Sequence, residues 1–188
     1  MITFTGNVIH QMSLPAIDSN GKQRHRRVDF YELNPKSVND NKLLERLVNH
    51  WGEEDTFIRV IEDNFKYNKY DEFAPFGERF FILAQRKPEI KNIRVNDVLA
   101  VAQTSTKKPK FGIEIDFLQT IPKQLLGQKE FKVQNIGSKF LEELKNLFYG
   151  KNIWLYSSES NIDFYRHNGF KKVAASKVGL AIMKYFHK

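Results

Sequence analysis

Three stretches carry residues whose types and spacing could do chemistry. The first is Lys132–Phe148, KVQNIGSKFLEELKNLF, where an amphipathic helix opens at Gly137-Ser138 straight after a polar turn. The first four N–H groups of a helix lack intrahelical partners and lie at the positive end of its dipole. Gly137 brings no side chain, while Lys132, Lys139 and the Ser138 hydroxyl add charge and hydrogen bonds. A pyrophosphate at Asn135–Ser138 is physically reasonable, and so is plain helix capping by the same pair. The second stretch is Phe111–Leu118, FGIEIDFL. Strict alternation puts Glu114, Asp116 and Leu118 on one face and Ile113, Ile115 and Phe117 on the other. Two carboxylates on one face either meet solvent or take a proton from a reacting group. The third is Ser157–Phe170, SSESNIDFYRHNGF. Ser160 and Asp163 have capping-box spacing, Gly169 suits a left-handed terminator, and Tyr165 lies near the end of the short helix between them. Taken alone, Tyr165 reads as a half-buried packing residue with its hydroxyl at the surface.

Other chemistries are excluded or left without support. The chain of 188 residues has no cysteine, which removes disulfides, zinc-thiolate sites and cysteine nucleophiles. His10, His25, His50, His167 and His187 show no metal-ligand spacing, so no metal is expected. No apolar run approaches the ~18 residues of a membrane span and no secretory pattern opens the chain, so the expectation is a cytoplasmic protein. Apolar residues at 41% and charged residues at 28% are ordinary for a globular domain. A net charge of +8 suits an anionic partner, a nucleotide-bearing cofactor or simple solubility. Its densest clusters are Lys22–Arg27 (KQRHRR) and Lys107–Lys110 (KKPK).

Several elements must position these residues. Ile2–His10 and Arg27–Leu33 read as strands about a Ser-Asn-Gly turn, forming an amino-terminal ribbon. Ser37–Asp40 caps a helix carrying Leu43, Leu44, Leu47, Val48 and Trp51 up to Gly52, and a second helix covers Thr56–Tyr67. Strands follow at Arg79–Gln85, Val98–Thr104 and Phe111–Leu118. After the helix of the opening stretch come a strand at Asn152–Tyr156, a helical segment at Asn161–Asn168, and a closing antiparallel pair, Phe170–Val173 with Val178–Tyr185. The order predicts an α+β fold, a mixed and mostly antiparallel sheet flanked by helices. The ribbon, residues 1–27, is appended to a single domain of residues 28–188.

The glycine-bearing turn opening a helix, the strand after it, and Phe164-Tyr165-Arg166-His167-Asn168-Gly169-Phe170 before a final strand pair together resemble the carboxyl half of GNAT-family N-acetyltransferases. The family's cofactor turn, Gln/Arg-x-x-Gly-x-Gly/Ala, falls on Lys132-Val133-Gln134-Asn135-Ile136-Gly137. Asn135 stands where the family has its first glycine, and asparagine is the non-glycine residue that best tolerates a left-handed backbone. The link from Pro122 to Gly137 is longer than usual, with Lys123–Phe131 (KQLLGQKEF) inserted.

The resemblance implies an acyltransferase that moves an acetyl group from acetyl-coenzyme A (acetyl-CoA) to an amine. It implies that Leu118, Gln119 and Thr120 hold the pantetheine arm. It implies a pyrophosphate on Gln134, Asn135, Ile136, Gly137 and Ser138 beside Lys132, and Tyr165 as general acid toward the departing thiolate. Glu114 and Asp116 are the carboxylate candidates for the base. The acceptor, whether small amine, protein or aminoacyl-RNA, is left open, and its binding falls to the ribbon and Ser37–Phe76. Two other readings stand beside this one: a non-catalytic module that keeps the fold, and a basic nucleic-acid-binding protein led by Lys22–Arg27.

Overall fold

The computed structural model describes residues 7–52, 56–68, 77–85 and 93–187. Its strands are β1 (Asn7–Asp18), β2 (Gln23–Leu33), β3 (Arg79–Gln85), β4 (Val98–Ser105), β5 (Ile113–Thr120), β6 (Phe131–Val133), β7 (Ile153–Ser157), β8 (Lys171–Ala175) and β9 (Ala181–Tyr185). Its helices are α1 (Val38–Trp51), α2 (Thr56–Tyr67), α3 (Lys123–Gly127), α4 (Ile136–Leu147) and α5 (Ile162–His167). One sheet of nine strands runs β6-β1-β2-β3-β4-β5-β7-β9-β8. All its ladders are antiparallel except β5 with β7. The expected α+β architecture, a mixed sheet flanked by helices with an added amino-terminal strand, is what the chain forms.

Alternation along the central strands decides which helix covers which face. Phe80 on β3 meets Phe65 of α2 edge-on at 4.9 Å, so this side of the sheet lies under α1 and α2. Its neighbour Phe81 points the other way, stacked on Phe30 at 5.5 Å and edge-on to Phe148 at 6.1 Å, where α4 also brings Phe140. β4 is buried along its whole length, as a strand covered on both faces must be. Ser37 accepts from the Asp40 N–H to cap α1, and Gly52 ends it at φ 97°. Both features were expected.

The sequence expectation missed three things. β1 runs on through Pro15 to Asp18, much further than the expected strand end at His10, and pairs with β2 up to Ile17–Gln23. The inserted link is also ordered, as the short helix α3 followed by β6, which pairs with β1 at Ala16–Asp18. Ser160 forms no capping box. It lies in a single turn of 3-10 helix before α5, where its hydroxyl meets that of Ser158 at 3.0 Å. Residues 1–6, including the start of the expected first strand, lie outside the described residues.

Candidate functional site

The parallel ladder between β5 and β7 is only two pairs long, Ile113–Ile153 and Glu114–Trp154, although the strands have eight and five residues. A β-bulge sits at the point where they part. Gln103 pairs with Phe117 but Thr104 pairs with Ile115, so Asp116 is an extra residue on β5. A bulge bends its strand and twists it away from its neighbour. From Asp116 onward the edge of β5 that faces β7 has no strand partner among the described residues.

The bulge also corrects the expected facing of β5. Glu114 pairs with Ser105, Phe117 with Gln103 and Gln119 with Val101, all on the α2 side, while Ile115, Leu118 and Thr120 share the α4 side. Phe117 accordingly touches Phe57 of α2, with ring centroids 5.7 Å apart. Glu114 and Asp116 do come together on the α2 side. Asp116 accepts from the Lys107 ammonium at 2.8 Å, and the same ammonium lies 3.6 Å from Glu78. Burial pushes the Glu114 carboxyl up to about 7, the charge of Asp116 adds to the rise, and Lys108 and Lys107 oppose it. Burial also raises the Asp116 carboxyl, against the pull of Lys107. Gln119 is buried, and neither atom of its side-chain amide has a partner among the described residues.

α4 opens beside the end of β5, where a Cβ on Gly137 would lie 3.5 Å from Cγ2 of Thr120. Asn135, its N-cap, has φ 55° and ψ 27°, and is the one non-glycine residue with positive φ among those described. This left-handed residue turns the chain from β6 into the helix. Pro15 on β1 accepts the Gln134 N–H at 2.9 Å, so that amide faces the ribbon. The N–H groups of Asn135, Ile136, Gly137 and Ser138 have no main-chain or side-chain partner among the described residues. Four such donors at a positive helix end are of the kind that suits an anion.

The need for glycine at 137 comes from packing. A Cβ there would lie 3.0 Å from Cζ of Phe164 and 3.5 Å from Cγ2 of Thr120. Gly137 thus lets α5, α4 and the end of β5 meet. Lys139 carries charge at this helix end but is paired to Glu142 at 2.9 Å and lies 3.6 Å from Glu143. Glu143, buried, is also bonded by His10 of β1 at 2.7 Å. Lys132 lies exposed on β6, opposite Ile17.

Tyr165 follows Phe164 on α5 and packs between the Phe164 and Phe170 rings, at 5.1 and 5.8 Å. Gly169, at φ 86°, ends α5 as expected. Burial lifts the Tyr165 phenol to about 12, so it is a protonated donor at every physiological pH. Among the described residues no hydrogen bond, ion pair or ring contact joins Tyr165 to Glu114 or Asp116, so base and acid candidates stand apart. Sequence reasoning missed Lys107, Glu78 and the Phe164–Gly137 contact. The KKPK run was visible but read only as bulk charge. No group of three or more His, Asp or Glu arranged for a metal occurs among the described residues.

Neither a protein-family model nor a curated protein matches the sequence. Among solved structures the chain is similar to Tetrahymena Gcn5, at 15% identity and TM-score 0.54 over 82% of this chain and 92% of that one. It is similar to Campylobacter jejuni N-acetyltransferase PseH, at 12% identity and TM-score 0.51 over 86% and 99%. A Vibrio cholerae and hSSAT chimera of spermidine N-acetyltransferase SpeG gives 13% identity and TM-score 0.51 over 85% and 95%. The chain has the GNAT N-acetyltransferase fold.

Proposed function

We propose that the protein transfers an acetyl group from acetyl-CoA to an amine. The observation that carries this reading is the set of four unpartnered N–H groups at Asn135–Ser138, standing where a Cβ on Gly137 would come within 3.5 Å of Thr120 at the end of the splayed strand. These donors suit a diphosphate, and the free edge of β5 along Leu118, Gln119 and Thr120 suits an amide-bearing arm by strand-like hydrogen bonds. Lys132 adds charge near the turn.

Acetyl-CoA supplies a thioester carbonyl that an amine can attack. Main-chain donors of the splayed edge would stabilise the oxyanion that develops. Glu114, with its carboxyl near neutrality, takes the proton of the acceptor ammonium, directly or through water, and Asp116 keeps that carboxyl basic. Tyr165 returns a proton to the leaving thiolate. The ribbon and α1–α2 are the acceptor-binding parts in this reading. Two of the aromatics there, Trp51 and Phe65, are buried core, whereas Phe57 and Tyr67 are exposed. Tyr70, Phe73 and Phe76 lie outside the described residues.

The test is thiol release from acetyl-CoA in the presence of small amines, lysine peptides and aminoacyl-RNA. Acceptor-dependent release with at least one class is expected. Cofactor binding without release from any class would favour the non-catalytic module.

A further inference from the structure

We infer that the open face of β7 and β9, where the exposed rings of Phe111, Tyr156 and Phe186 stand among lysines that form no ion pair among the described residues, one strand from Glu114, docks single-stranded nucleic acid.

The face is built by register. Trp154 pairs with Lys184 and Tyr156 with Ile182, so these four side chains point the same way, and Trp154 also pairs with Glu114. α5 packs on the opposite face through Phe170 and Tyr185. Phe111 is brought to the platform by Gly112, which adopts φ 96° and lies so close to the next turn that a Cβ would meet the Asn152 carbonyl oxygen at 2.1 Å. The Ile113 N–H then bonds that oxygen at 2.9 Å.

Trp154, only 3% exposed, is the buried link between the exposed rings on either side of it. Phe111 lies 6.0 Å from Trp154, which lies 5.3 Å from Tyr156. Phe111, Tyr156 and Phe186 remain 53%, 38% and 46% exposed. Lys108 stands 4.8 Å over Trp154 and donates to the Tyr156 hydroxyl at 3.1 Å. Lys184 lies 5.0 Å over Phe186 and 5.8 Å over Phe111. Lys171 sits opposite Lys184 on β8. None of these three lysines forms an ion pair among the described residues.

Bases stack on exposed rings, and phosphates follow the cations between them. A duplex buries its bases and could use only the lysines, and an acidic peptide could not use the rings as a base does. This face differs from Lys22–Arg27, which the sequence singled out. Arg24 there is paired to Asp18 and Arg26 lies over the Phe131 ring. A strand on the platform would end beside Glu114, where an amine carried on that strand could reach the candidate base. Docking itself needs no acetyl transfer, so it can fail or succeed independently of the proposed reaction.

The experiment is fluorescence anisotropy of a labelled oligothymidylate of about 12 nucleotides with the full chain, without acetyl-CoA, at about 50 and 200 mM salt. Expected are saturable binding that weakens steeply with salt, and a loss of roughly tenfold or more in each of Phe111→Ala and Tyr156→Ala. Tyr156→Val, which keeps a strand-forming residue and removes the ring, should match Tyr156→Ala. Lys108→Ala and Lys184→Ala should each lower the salt slope by about 0.7. Equal affinity for a blunt duplex or for poly-L-glutamate would overturn the inference. So would wild-type affinity in the folded ring variants, or no binding at the lower salt.

Discussion

Burial shifts both Tyr165 and Glu114, bringing the Glu114 carboxyl toward neutrality, as a base near pH 7 requires, and keeping the Tyr165 phenol protonated. The phenol at about 12 stays protonated, while the carboxyl at about 7 exchanges its proton readily. Tyr165→Phe should keep acetyl-CoA affinity within about twofold and lower turnover by about 100-fold, read from thiol release under saturating cofactor. For Glu114 the rate should rise with pH through a limb near 7, and Glu114→Gln should abolish that limb. The same carboxyl predicts a stability effect. Its proton is held more tightly in the folded chain than in the unfolded one, where the ordinary value is 4.5. Stability from this position is therefore fullest at low pH and declines as pH rises from 4.5 through about 7. Glu114→Gln should raise the melting temperature by a few degrees at high pH and hardly change it below the unfolded value. Equal gains at both pH extremes would contradict the burial account.

Two elements carry the site, the bulged strand β5 and the turn into α4, and they differed in how far the sequence announced them. The left-handed turn was legible, because asparagine tolerates positive φ and the amphipathic run after it marks the helix. Asn135→Gly should fold and bind acetyl-CoA as the natural chain does. Asn135→Val, β-branched at φ 55°, should lose about 1–2 kcal/mol of stability, measured by urea denaturation, and weaken binding. The bulge at Asp116 was not legible. From Ile113 to Phe117 the run alternates without interruption, and the extra residue exists only relative to its partner β4. Three-residue β6 is likewise too short for a periodic signal, and its pairing with β1 is a long-range choice. At the entry to β5, Gly112→Ala should cost at least about 2 kcal/mol, since neither its φ nor the Asn152 carbonyl leaves room for a methyl group.

At the scale of the whole molecule, the long ribbon and β6 extend the sheet toward α4. There the Gln134 amide bonds Pro15, and His10 bonds Glu143. The order of strands and helices could be read from periodicity and turn residues, which gave the architecture. The reach of the ribbon could not, because Pro15 interrupts the pattern that marks a strand. The inserted link, which from sequence alone could have loosened the turn, instead fixes its near side while four amides of the turn stay unpartnered. The measurement that bears most directly on this picture is isothermal calorimetry of acetyl-CoA into the natural chain and into Gly137→Ala. The account predicts one saturable site in the natural chain. It predicts affinity lowered about tenfold or more in Gly137→Ala, where the new methyl meets Phe164 and shifts the turn. A folded natural chain that takes up no acetyl-CoA, or a variant that binds it undiminished, would contradict the account.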